Sequence, residues 1–292
     1  MSDCLSILPV MLSETMFKAK AKANDLRQKS RPMTNTLSLR LRPRPSLLLF
    51  VFEDEAKSSR THLFNLITGC LQNYEQYGFI DSVWVSAILQ MVYFTKFFWW
   101  ESGYMRTIDI MLDRAGYYIC WGCVCWIPGL YASVSMYLAS RTAQLGLLWS
   151  VFILAAGVVS CMINYAADRQ KLEVRKTDGK CKVWGRPSEV IRAQYKLAYG
   201  ETRTSLLLVS GYWGLARHFH YVPELSLAFL WSVPALFDHL MPYCYFVFLA
   251  ALLTHRTFRD DTKCRQKYGK YWDDYCRRVP YKMIPCVFWS IS

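Results

Sequence analysis

Apolar residues in this chain are gathered into four blocks, separated by strongly charged stretches. Residues 79–100 form the first block and end in a Phe/Trp cluster suited to a membrane–water interface. The second, 116–138, is interrupted by Pro128, and the third, 145–165, carries no charge at all. Each is close to the roughly 20 residues a helix needs to cross a bilayer, so three transmembrane helices are expected. The fourth block, 225–253, has Asp238 and His239 at its centre, between Pro234 and Pro242. Each of its halves is too short to cross, which predicts a helical hairpin that enters and returns, or else one kinked helix. The Asp–His pair points either to function or to capping of the turn between two half-helices.

Ahead of these blocks, residues 1–60 are basic and carry LRLRPRP at 39–45 and a six-residue apolar run, Leu47–Phe52. That run is too short to span a membrane, and its position and the acidic EDE after it argue against a signal peptide. This segment is expected to be disordered or peripheral. The pattern as a whole predicts an all-α polytopic membrane protein, with a bundle over 61–288 and a cytoplasmic C-terminal segment over 255–292.

Composition agrees with that class. Of 292 residues, 53% are hydrophobic and 16% aromatic, while mean hydropathy is only +0.09, so the apolar residues are concentrated rather than spread. Net charge is +13. Ten Lys/Arg against five Asp/Glu lie between 168 and 203, and nine against four between 255 and 282, which puts both regions on the cytoplasmic side. They flank the expected hairpin, so together they can build one pocket. Counting back through three crossings puts basic residues 1–78 on the lumenal side, against the usual charge rule.

The 11 cysteines are scattered, several of them inside apolar blocks, so a secreted disulfide framework is not expected. Cys120, Cys123 and Cys125 read as small apolar residues of a span rather than as metal ligands, and the five histidines have no zinc-site spacing. No metal and no nucleic-acid partner are predicted. The basic runs suit anionic lipid or an anionic ligand.

The stretch Leu206–Tyr221, LLLVSGYWGLARHFHY, is where chemistry gathers. Gly211 and Gly214 permit unusual backbone angles or close approach, Tyr212 and Trp213 are flat, and Arg217, His218 and His220 supply donors. Helix-start and interface roles are the alternative. Neither G-x-G-x-x-G after a strand nor a P-loop occurs, so a bound nucleotide would not sit on a Rossmann helix terminus.

This stretch resembles the LLVSG[WF]WG[VL]ARHxNYxGD signature of the sterol reductases, membrane enzymes that reduce sterol C=C bonds with NADPH. The resemblance extends to FFWWESGYMRTIDI (97–110), TDGKCKVWGR (177–186) and LLTHRTFRDDTKCRQKYGKYWDDYCRRVPYKMIP (252–285), so it covers roughly 62–288. ARHF and TDGKCKVWGR are closer to the branch that reduces 7-dehydrocholesterol than to the C14 branch. The family's N-terminal spans and LNPR signature have no counterpart, so an N-terminally truncated or rearranged member is expected.

The resemblance implies a cytoplasm-facing NADPH pocket. Its residues would be Lys171, Arg175, Leu208, Trp213, His220, Tyr221, Asp260, Cys264, Arg265, Gln266, Lys267, Tyr268 and Tyr275, with K-Y-G-x-x-W-x-x-Y intact at 267–275. Lys171 and Arg175, at i and i+4 on one helix face, suit a 2′-phosphate and favour NADPH over NADH. The basic run at 255–282 has a plainer alternative as a juxtamembrane segment drawn to lipid. The implied reaction reduces the C7–C8 bond of a sterol 5,7-diene in the endoplasmic reticulum membrane, with a proton and a hydride. Glu101 and Asp109 match family positions and are the candidate acids, whereas Asp113 reads as a helix-terminal charge.

Three departures stand out: His220 replaces the family's Asn, Gly122-Cys123 replaces Gly-Asp, and Pro223-Glu224 replaces the second Gly-Asp. They keep open a non-catalytic protein that binds sterol or NADPH. A C14-sterol reductase is a further alternative. A more remote one is an isoprenylcysteine-type methyltransferase using S-adenosylmethionine. Sterol and membrane lipid are the expected partners, with other sterol-biosynthesis enzymes as further possibilities.

Overall fold

In the computed structural model of the chain, residues 62–100, 129–196 and 200–286 are described, and most of them are helical. Segment 1–60, part of the second expected span (116–128), the cysteine run at 120–125, and Glu101, Asp109 and Asp113 lie outside the described residues.

Four helical segments make the first half: α1 (62–77), α2 (Asp81–Trp99), α3 (Ser133–Leu138) and α4 (Leu147–Lys176). Asp81 ties two of them together. Its carboxylate accepts hydrogen bonds from the N–H groups of Leu145 (2.8 Å) and Gly146 (2.7 Å) and from Ser150 Oγ (3.3 Å). Amides just ahead of a helix have no intrahelical acceptor, and the positive end of the helix dipole favours a carboxylate there. So α2 and α4 start side by side. They meet again where Lys96, near the end of α2, contacts Asn164, midway along α4, and they therefore run parallel. In between they pack closely, because a Cβ at Gly157 would lie 2.4 Å from Leu89 Cδ2.

Among the described residues, α4 is the one helix long and apolar enough to cross a membrane. At 30 residues it is about 45 Å long and extends well past the expected end at 165. The third expected crossing, 145–165, falls inside this helix. The first block does form α2, but its inner face carries buried Ser82, Ser86 and Gln90, which lower its apolar character. Of the second block, the described part holds only the six-residue α3.

The all-α expectation fails locally. After α4 come two antiparallel hairpins, β1 (Lys182–Val183) with β2 (Arg186–Pro187), and β3 (Val190–Lys196) with β4 (Thr202–Leu208). Trp184 and Gly185, both at positive φ, make the two-residue turn of the first, the geometry that suits strand twist. The second follows period-2 alternation in VIRAQYK, which buries Ile191 and Ala193 and exposes Arg192 and Gln194.

The chain then enters α5 (Tyr212–Leu215) and α6 (Tyr221–Ser232), turns through two 3-10 segments (Val233–Ala235 and Met241–Tyr243), and returns as α7 (Cys244–Tyr268) and α8 (Lys270–Arg278). Helix α6 packs on α2, α4 and α7. Ser86 Oγ donates to Trp231 O at 2.8 Å and Tyr93 Oη to Glu224 Oε1 at 2.7 Å, so α6 runs opposite to α2. Asp238 and His239 lie in the turn with exposed side chains, not buried inside a kinked helix. Helix α7 passes through 253–255 without a break.

Two cores result. The larger joins α1, α2, α4, α6 and α7 around Leu89, Leu227, Trp231 and Tyr245. The smaller packs Ile191, Ala193 and Leu207 of the β3–β4 hairpin on Trp272, Tyr275 and Val279.

Candidate functional site

The segment from β4 to α6 folds as a tight ledge across the end of α4. Gly211 sits at φ +67°, and a Cβ at Gly214 would lie 2.4 Å from the carbonyl oxygen of Val209, so only glycine fits at that second position. The ledge turns Trp213 inward, where its Nε1 donates to Ala167 O at 2.8 Å. One side of the indole carries Lys171, whose Nζ lies 3.7 Å from the ring centroid, and His220 packs beside it with centroids 4.9 Å apart. This is a cation–π contact in a buried setting. Trp213 therefore serves as a wall that fixes Lys171, and Leu208 lies behind it with Val174 and Val183.

Helices α7 and α8 close the ledge from the other side. Tyr275 Oη donates to the carbonyl of Trp213 at 3.3 Å. Arg217, buried, reaches Asp261 at 3.2 Å and Cys276 Sγ, and its own N–H donates to Tyr281 O at 3.0 Å. Asp261 also accepts from Trp272 Nε1 at 3.0 Å and lies 3.8 Å from Lys282 Nζ. The neighbouring Asp260 is buried too, and its Oδ1 has no hydrogen-bond partner among the described residues. Burial pushes the Asp260 carboxyl up, opposed by Arg256, Arg259, Lys263 and Lys171.

The predicted residues fall into two groups. Lys171, Trp213, His220, Tyr221, Asp260, Cys264 and Tyr275 converge: Tyr221 stacks on His218 at 5.4 Å, and Asp260 is electrostatically coupled to Lys171, Tyr221 and Cys264. Arg175 is exposed one turn beyond Lys171 and feels both it and Tyr275. The second group lies outside. Lys267 caps the rings of Tyr195 (4.2 Å) and Tyr268 (5.0 Å), Arg265 pairs with Asp273 at 3.6 Å, and Gln266 is exposed.

Both ledge histidines are held neutral. Burial is the larger cause for each, pushing His218 and His220 well below the ordinary range; Lys171 adds to it for both, and Arg217 and Lys282 for His218. A second polar cluster borders the first. Asn164 Nδ2 donates to His220 O (2.8 Å) and Glu224 Oε2 (2.9 Å), and its Oδ1 accepts from Lys96. Asn164 and Lys96 were absent from the sequence-based site. Their signal was available as single polar residues inside apolar blocks.

An anionic ligand with hydroxyl, amide and aromatic parts fits this donor set. Lys171 and Arg175 supply cations, Asp260 a free acceptor, and Tyr275 and the histidines flat polar surfaces.

A mostly helical protein with one helix long and apolar enough to cross a membrane among the described residues, and a basic, aromatic ledge at its end, is the class these features define, and comparison with known proteins gives the family. The chain belongs to the ergosterol biosynthesis ERG4/ERG24 family, whose model matches residues 41–288. It is 54% identical over 223 residues to the 7-dehydrocholesterol reductase of Arabidopsis thaliana, covering 76% of this chain and 52% of that protein. It is 39% identical over 215 residues to the 7-dehydrocholesterol reductase of Xenopus laevis, covering 73% and 46%. With a Delta(14)-sterol reductase of Mus musculus it shares 35% over 207 residues, covering 71% and 47%. The chain spans about half the length of the curated relatives it matches.

Proposed function

We propose that this chain reduces the C7–C8 double bond of sterol 5,7-dienes, such as 7-dehydrocholesterol, with NADPH as the hydride source. The observation that carries the reading is the placement of Lys171 over Trp213, whose carbonyl accepts from the Tyr275 hydroxyl, with Asp260, its Oδ1 unpartnered among the described residues, within electrostatic reach of Lys171. Lys171 and Arg175 bind the phosphates, the 2′-phosphate included. Asp260 accepts from hydroxyl or amide hydrogens. Leu208 and Trp213 form the wall, while Tyr221, His220 and Cys264 line the inner end. Lys267, Tyr268, Arg265 and Gln266 form the outer lip.

NADPH supplies a hydride when bound. The chain's own part is to orient the cofactor, exclude water and deliver a proton to one alkene carbon, leaving a tertiary carbocation on the sterol. Glu101 and Asp109 are the proposed acids. The protein is placed in the endoplasmic reticulum membrane as a multi-pass bundle, with α6 and α7 as the re-entrant hairpin.

Two measurements test this. Membranes lacking endogenous sterol reductase, carrying this chain and given NADPH and 7-dehydrocholesterol, should form cholesterol detectable by gas chromatography with mass detection. In a binding titration, Lys171→Met should weaken NADPH about tenfold while weakening NADH less, the loss expected for one charge-assisted contact to phosphate. Tighter binding of S-adenosylmethionine than of NADPH would favour a methyltransferase instead. NADPH binding without product would favour a binding-only protein, the reading that His220 in place of Asn supports.

A further inference from the structure

Between α1, α2 and α4 runs an open groove of about 640 Å³, a size that suits one small organic ligand. Its walls are apolar: Leu66 and Ile67 from α1, Met91 and Val92 from α2, Val158 and Met162 from α4. Lys96 is the one charged side chain among the described residues that line it. An ammonium has three N–H donors, and the only hydrogen bond the described residues take from Lys96 goes to Asn164 Oδ1. Beyond Asn164 stands Glu224, which also accepts from Tyr93 at 2.7 Å. Lys96 and Glu224 cancel in charge, with Asp168 nearby, so this end of the groove suits a neutral hydroxyl better than a carboxylate or sulfate.

The groove and the ledge share a wall. Asn164 holds Lys96 on one side and the carbonyl of His220 on the other, and His220 packs on Trp213 beneath Lys171. A ligand in the groove is thereby brought next to the site proposed for the cofactor.

We propose that this groove is the sterol site and that Lys96 recognises the sterol's 3-hydroxyl, with the hydrocarbon body lying along α1, α2 and α4. The assignment rests on the sterol reading above and adds where the substrate lies and which residue selects its oxygen.

The test measures binding of 7-dehydrocholesterol and of its 3-deoxy analogue to the purified full chain in lipid nanodiscs, alongside NADPH binding. Lys96→Met should weaken the hydroxysterol about tenfold, the size of one hydrogen bond from a charged donor, and leave the deoxy analogue unchanged. Met162→Trp, at an exposed groove position that the fold does not depend on, should weaken both sterols. Equal losses for both sterols in Lys96→Met, or no loss in either variant, would overturn the assignment. So would a wild-type chain that binds no sterol. Wild-type sterol binding with the expected pattern but no NADPH binding would support the groove and overturn the reductase reading instead.

Discussion

The helical half and the ledge both bury polar groups, but they bury different kinds. Around Gln90 and Asn73 in the helical half the buried polar groups are neutral: His62 meets Gln90 at 3.1 Å, Gln90 donates to Ser86, Ser86 donates to Trp231 O, and Asn73 serves three carbonyls at the end of α3. In the ledge they are ions: Arg217, Asp261 and Lys282 stand together, with Trp272 bonded to the same carboxylate. Losing one member of a neutral network leaves an unsatisfied dipole, whereas losing one member of an ion cluster leaves a charge with nowhere to go. The two halves should therefore respond very differently to single substitutions.

The sharpest way to break that contrast is Arg217→Met, which keeps much of the side-chain length and removes the guanidinium. It strands Asp261 in a site only 16% exposed, with Lys282 at 3.8 Å and the Trp272 N–H left beside it. A loss of about 3 kcal/mol is expected, by thermal unfolding in detergent or nanodiscs. A loss below about 1 kcal/mol would mean that Lys282 and Trp272 compensate the carboxylate and that the ledge is no more sensitive than the bundle.

Gln90→Leu tests the other side. The residue is buried between α1, α2 and α3, and its amide is shared by His62, Ser86 and Ser135. Ser86 keeps its acceptor at Trp231 O, so the main casualty is His62. A loss of about 1–2 kcal/mol is expected, smaller than for Arg217. If the two losses proved equal, the distinction between neutral and ionic burial would have no energetic content in this protein.

The same contrast explains what could be read from the sequence. Hydropathy marked the blocks that became α2, α4, α6 and α7, because an apolar helix needs only composition to be seen. It could not show that Ser82, Ser86 and Gln90 face inward, since inward and outward polar residues look alike in a window average. The ledge was located by spacing, through Gly211, Gly214, Trp213 and the RHFHY run, and Lys171 and Tyr275 do meet at Trp213. Hidden from that approach were residues whose partners are distant in sequence: Asp261 for Arg217, and Asn164 for His220 and Glu224. The β3–β4 hairpin was legible as alternation in VIRAQYK, but its charges drew attention to orientation rather than to period.

The smallest expected effect is a pH dependence, and it tests whether the ledge's charge is specific to that half. His218 and His220 have folded pKa values well below 6.5, caused first by burial and then by the cations around them, Lys171 for both and Arg217, Lys282 and Lys96 for one or the other. A histidine kept neutral in the folded state binds fewer protons than in the unfolded chain once the pH falls below about 6.5. Stability from this source is thus fully present above that pH and is lost as the pH falls toward the folded values. Each such group contributes a slope of at most about 1.4 kcal/mol per pH unit in that window. His220→Asn removes one of the two, so melting temperature against pH between 5 and 6.5 should be shallower in the variant, whatever constant offset the lost ring packing leaves above pH 7. Parallel curves would mean that His220 is free to take up a proton in the folded ledge. The cations fixed there by Trp213 and Asp261 would then leave more room for positive charge than their spacing implies.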